Sequence, residues 1–174
     1  MTGPVFVDAN VFVYARDGRD AAKQARAAEW IAYLWREALG RTSVQVLSES
    51  YTTVTRKLTP RVAPEEAWED VKALFTWRPQ TIDATLVARA REIEQRWQLS
   101  WWDSMVVAAA QLQDCFTLLT EDLQDGAEYG GVTVRSPFTL EVREPVTPYA
   151  AVPVASNRHR PRGRPRKTGM RAEG

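Results

Sequence analysis

The stretch Val5-Phe6-Val7-Asp8-Ala9-Asn10-Val11 sets three apolar residues directly ahead of an acid. An uninterrupted apolar run of this length reads as a strand covered on both faces, as in a parallel sheet. A half-exposed antiparallel strand would alternate instead. A second run, Phe116-Thr117-Leu118-Leu119, leads into Thr120-Glu121-Asp122, and Gly131-Val132-Thr133-Val134 has the composition of a third strand.

Long stretches with helical spacing fill the intervals. Ala27, Ile31, Leu34 and Ala38 recur every three or four residues between Asp20 and Leu39, and Gly40 stops that helix. Leu47, Tyr51, Val54 and Leu58 mark a second helix, ended by Pro60. A third starts at Pro64, with Glu65 and Glu66 in its first turn and Ala67, Val71 and Leu74 facing inward. Leu86, Ala90, Ile93 and Trp97 mark a fourth behind the N-cap Asp83. Ser100-Trp101-Trp102-Asp103 opens a fifth, whose interior from Met105 to Ala110 is apolar nearly all round and therefore belongs in the middle of a domain. Strands separated by helices define an α/β domain with a mostly parallel sheet.

With 174 residues, 44% hydrophobic and 26% charged, the chain suffices for one packed domain of residues 1–144 and a tail of residues 145–174. A single cysteine, Cys115, excludes an internal disulfide and a thiolate metal cluster, and is expected as a small buried residue ahead of its strand. The opening residues lack the basic start and apolar stretch of a secretion signal, and no run is apolar and long enough to span a bilayer. The chain is expected in the cytoplasm, with no membrane partner. From Asn157 onward there are seven basic residues and one acid, which leaves 16 basic and 21 acidic residues before it, a net −5. The tail, rich in proline and arginine, is expected to be disordered.

Ligand sites of open α/β sheets form beyond the carboxyl ends of the strands. Two apolar strands here end in acids, at Asp8 and at Asp122, while Glu49 and Asp103 lie near the starts of helices. Such acids, with no base beside them, hold a hard cation such as magnesium, which prefers carboxylate oxygen. The cation can activate a water and stabilise charge on a phosphate. Each acid also has an ordinary structural use. Asp8 can cap a helical turn starting at Ala9 or Asn10, Asp103 can close a capping box with Ser100, and Asp122 can sit in an acidic turn. Glu49 points away from the apolar stripe of its helix, as a solvated glutamate does. The only histidine, His159, lies in the tail, so no histidine base serves the folded domain.

At these residues the sequence resembles the PIN-domain family, and more narrowly the VapC-type toxins of bacterial toxin–antitoxin pairs. Four segments carry the likeness in order: Val5 to Val11, Thr42-Ser43-Val44-Gln45-Val46-Leu47-Ser48-Glu49, Trp101-Trp102-Asp103 through Ala110, and Leu118-Leu119-Thr120-Glu121-Asp122-Leu123. The resemblance implies a three-layer α/β/α sandwich and a Mg2+- or Mn2+-dependent endoribonuclease. It implies that Asp8, Glu49, Asp103 and Asp122 hold the metal and orient the attacking water, with Asn10 and Thr120 bracing them. It further implies an RNA substrate, a cognate antitoxin protein and a homodimer. A phosphatase of the haloacid dehalogenase type also places an aspartate after its first strand. It needs a second acid two residues on, where Asn10 stands.

In the tail, Arg162, Gly163, Arg164 and Pro165 form the core of a segment that resembles an AT-hook, which implies A·T-rich DNA as a further partner. Read without the hook, the same run is a generic basic arm. The competing function is accordingly a non-catalytic nucleic-acid-binding protein that acts through its basic tail.

Overall fold

In the computed structural model, which describes residues 3–142, the expected strands and helices form one mixed α/β unit. Five strands, β1 (Val5–Val7), β2 (Gly40–Arg41), β3 (Thr117–Leu119), β4 (Glu128–Tyr129) and β5 (Val132–Arg135), line up in the order β2-β1-β3-β5-β4. All neighbours run parallel except β4, which is antiparallel to β5. Six helices flank the sheet: α1 (Ala9–Arg16), α2 (Ala21–Arg36), α3 (Val44–Arg56), α4 (Pro64–Leu74), α5 (Ala84–Trp97) and α6 (Trp101–Leu112). The domain boundary near residue 144, the tail and its hook-like segment lie outside the described residues.

The continuous apolar reading of the central strands holds: Val5, Phe6, Val7, Leu118 and Leu119 are all buried. So does that of α6, where Ser104 through Ala110 are buried and the helix packs between α5 and strands β3 and β5. Cys115 is buried ahead of β3, and burial pushes its thiol up to about 12.

Three local expectations are corrected. α2 ends at Arg36, before Ala38, which turns left-handed (φ 56°) and is exposed instead of facing the core. Its central residue is Trp30, whose indole N–H donates to the Pro137 carbonyl at 2.9 Å and pins the segment after β5 onto the helix. The run read from Phe116 becomes β3, which begins only at Thr117, and Phe116 is exposed. The two-residue strands β2 and β4 have no periodicity to read. Gly40, expected to stop the helix, lies beyond its end in β2, where a Cβ would meet the Trp77 ring at 2.5 Å, so the glycine makes room for an indole.

Among the described residues no helix is long and apolar enough to cross a membrane.

Candidate active site

The register of β1 against β3 builds the site. Val7 pairs with Leu119, and the Asp8 N–H donates to the Leu119 carbonyl at 3.1 Å, so Asp8 and Thr120 leave the sheet side by side at its carboxyl edge. β1 is also where the chain order reverses across the sheet, with β2 on one flank and β3 on the other. This is the crevice in which open α/β sheets place ligands.

The Thr120 hydroxyl is fully buried and fully used. It donates to Asp8 Oδ2 at 2.8 Å, and accepts from Asn10 Nδ2 at 2.9 Å and from the Asp122 N–H at 3.1 Å. Asn10 donates a second bond to Asp122 Oδ2 at 3.0 Å. Asp8, Asn10, Thr120 and Asp122 are therefore one hydrogen-bonded group, although more than a hundred residues separate its halves. Asp8 also caps α1 through Oδ1, 2.7 Å from the Ala9 N–H. Burial pushes its carboxyl up to about 6, against the Thr120 and Ala9 hydrogen bonds, with further upward pressure from the charges of Asp122 and Glu49.

Glu49 lines the same cleft from α3, exposed, with Oε1 accepting from Gln45 Nε2 at 2.9 Å. Asp103 is held differently. Its Oδ2 accepts from the Ser100 hydroxyl at 2.6 Å while its own N–H donates to that oxygen at 3.1 Å, the reciprocal capping expected of Ser100-x-x-Asp103. Its link to the rest is Gln45, whose Nε2 reaches the Trp102 carbonyl at 3.5 Å as well as Glu49. Among the described residues, no three His, Cys, Asp or Glu side chains stand close enough to share one ion. The fold thus joins Asp8 to Asp122 through Thr120 and Asn10, and sets Glu49 over the same cleft. Among the described residues, the hydrogen-bonded link toward Asp103 is Gln45, by way of the Trp102 carbonyl. Trp102, beside Asp103 at the start of α6, is 61% exposed.

Each of the four carboxylates is held by neutral donors, and among the described residues none has a cationic partner. Neighbouring acids do. Glu121 takes Lys23 Nζ at 2.7 Å and the Tyr14 hydroxyl, and the Lys23 ammonium also lies over the Tyr14 and Phe138 rings. Asp17 takes Arg19, and Asp125 takes Arg135 at 3.4 Å. Asp125 also accepts from the Ser136 N–H at 2.8 Å, which ties it to the end of β5. The cleft that Asn10, Glu49 and Asp122 share encloses about 380 Å³. A more apolar groove of about 400 Å³ lies between α1, α2, α3 and α4. Its one carboxylate, Asp70, is paired with Arg16, so it offers no comparable chemistry.

A strand-end site of carboxylates on a mainly parallel sheet suits several α/β families, and the chain belongs to one of them: residues 5–124 match the PIN domain. Among solved structures, its fold is similar to that of VapC20 of Mycobacterium tuberculosis, a sarcin–ricin loop-cleaving toxin. The TM-score is 0.52 and the identity 20%, over 74% of this chain and 98% of that one. No curated protein matches the chain in sequence.

Proposed function

We propose that the protein is a divalent-metal-dependent endoribonuclease, the toxin of a toxin–antitoxin pair. The observation that carries this reading is that Asp8, Asp122 and Glu49 at the carboxyl edge of the sheet, and Asp103 at the start of α6, rest on neutral donors, beside acids that do have cations. A buried Asp8 that faces two other carboxylates without a positive partner is costly, and such a group is stable at neutral pH when a cation joins it. The donors fit a hard cation. All are oxygens, and the Asn10 Oδ1 is a buried acceptor with no donor among the described residues. Asp8, Asp122, Glu49 and Asp103 would hold Mg2+ or Mn2+, and Asp103 would exchange its bond to Ser100 for this role.

Such a cation supplies a water of lowered pKa and charge stabilisation at the phosphodiester. The chain's own residues do the rest. Thr120 fixes the Asp8 carboxylate, Asn10 holds Asp122 toward the cleft, and Gln45 positions Glu49. Membership in the PIN family and the likeness to VapC20 support RNA as substrate and an antitoxin as partner.

The testing experiment incubates the purified full chain with RNA and Mn2+. Cleavage that stops with EDTA and in Asp8→Asn supports the reading; cleavage indifferent to both ends it.

A further inference from the structure

The cleft has a basic side that the metal reading does not use: Arg19 and Lys57 line it together with Glu49 and Asp122. Arg19 owes its placement to an acid in an unfavourable position. Asp17 caps the C-terminal end of α1, where the negative pole of the helix disfavours a carboxylate, and its side chain is only 8% exposed. What compensates is Arg19. Its Nε lies 2.8 Å from Oδ1 and its Nη2 2.6 Å from Oδ2, and its backbone N–H also donates to Oδ1 at 3.1 Å. The arginine itself is 62% exposed and makes no hydrogen bond through Nη1 among the described residues. A buried carboxylate thus fixes an exposed guanidinium in one orientation and leaves an edge of it free at the cleft. A guanidinium held this way loses little freedom on meeting an oxyanion, and its planar fork suits phosphate. The need for a cation there is plain, because the chain ahead of the tail carries a net −5 and its cleft acids repel a polyanion.

We infer that Arg19 binds a phosphate of the RNA strand that flanks the scissile one, and that Asp17 is its positioning residue. This rests on the endoribonuclease reading and adds to it the contact that sets substrate affinity.

Steady-state cleavage of a labelled RNA oligonucleotide by the full chain with Mn2+ tests it, with a thermal melt of each variant to verify folding. Arg19→Gln is expected to raise KM about tenfold with kcat within about twofold, and to lower the salt dependence of binding by about one phosphate contact. Arg19→Lys should recover part of the loss. Asp17→Asn should raise KM several-fold in the wild-type background and add nothing in the Arg19→Gln background. A purely structural role for Asp17 would add in both, and that result overturns the inference, as does an unchanged KM in Arg19→Gln while the wild-type chain cleaves. Failure of the wild-type chain to cleave at all removes the endoribonuclease reading, and this contact with it.

Discussion

Asp8 carries the largest electrostatic burden in the cleft. Its pKa rises from 3.8 to about 6 on folding, so the folded chain binds that proton more tightly than the unfolded one. The stability this provides is complete below about pH 4 and is lost as pH rises through about 6. Above that, the ionised group costs about 3 kcal/mol relative to its protonated form. A divalent cation competes with the proton for the same oxygens. Millimolar Mn2+ should therefore raise the melting temperature at pH 7.5 and barely change it at pH 5, and Asp8→Asn should remove that difference. Equal stabilisation at both pH values would detach Asp8 from the metal. Thr120 invites a second prediction. Replacement by Val removes one donor and two accepted bonds inside a buried network, and should cost roughly 2–3 kcal/mol in urea unfolding. It should also cut kcat by about 10- to 100-fold. Retention of wild-type kcat would mean that Asp8 and Asp122 need no brace. At this scale the places of Asp8 and Asp122 at the sheet's edge were legible because two apolar strands lead into them, whereas Glu49 and Asp103 lie on helices and are singled out through the family resemblance. Arg19 was not, because nothing in Asp17-Gly18-Arg19 shows which way the loop after α1 turns.

Elements with one apolar face were legible for the same physical reason that they are stable. The stripes Leu86-Ala90-Ile93 of α5 and Ala67-Val71-Leu74 of α4 face the core as their spacing predicts. α1 is only eight residues long, and it reads from sequence as a helical turn and no more. β2 and β4 exist through their pairing with β1 and β5 rather than through any pattern of their own. Trp30 is not among the residues read as the apolar stripe of α2, yet it stands three residues after Ala27 and four before Leu34 on the same buried face and is 1% exposed, with its indole N–H satisfied by a backbone carbonyl 107 residues away. Trp30→Ala should destabilise the chain by about 3–5 kcal/mol, through a cavity and an unpaired carbonyl. Urea unfolding gives the loss. Cleavage per folded molecule should stay near wild type, since Trp30 touches none of the four acids, and a parallel loss of kcat would tie α2 to the site.

Across the whole molecule, charge is divided between an acidic body that presents unpaired carboxylates and a strongly basic C-terminal segment. Deletion of residues 157–174 removes seven basic residues. It should weaken RNA binding and flatten its salt dependence, each lost phosphate contact lowering the log–log slope by about 0.7 for a single strand. The cleavage pattern and kcat on a short RNA should remain. If instead the deletion abolished all function while carboxylate variants were silent, the tail alone would account for activity. The measurement that bears most directly on the central claim is Mn2+-dependent RNA cleavage by the wild-type chain beside Asp8→Asn and Asp103→Asn. These two residues stand in separate hydrogen-bonded groups among the described residues, with Gln45 between Glu49 and the Trp102 carbonyl. Loss of cleavage in both, by at least about 100-fold with folding intact, is what a shared metal-dependent centre predicts. Full cleavage in Asp103→Asn would contradict it, and would show the site to be Asp8 and its immediate neighbours alone.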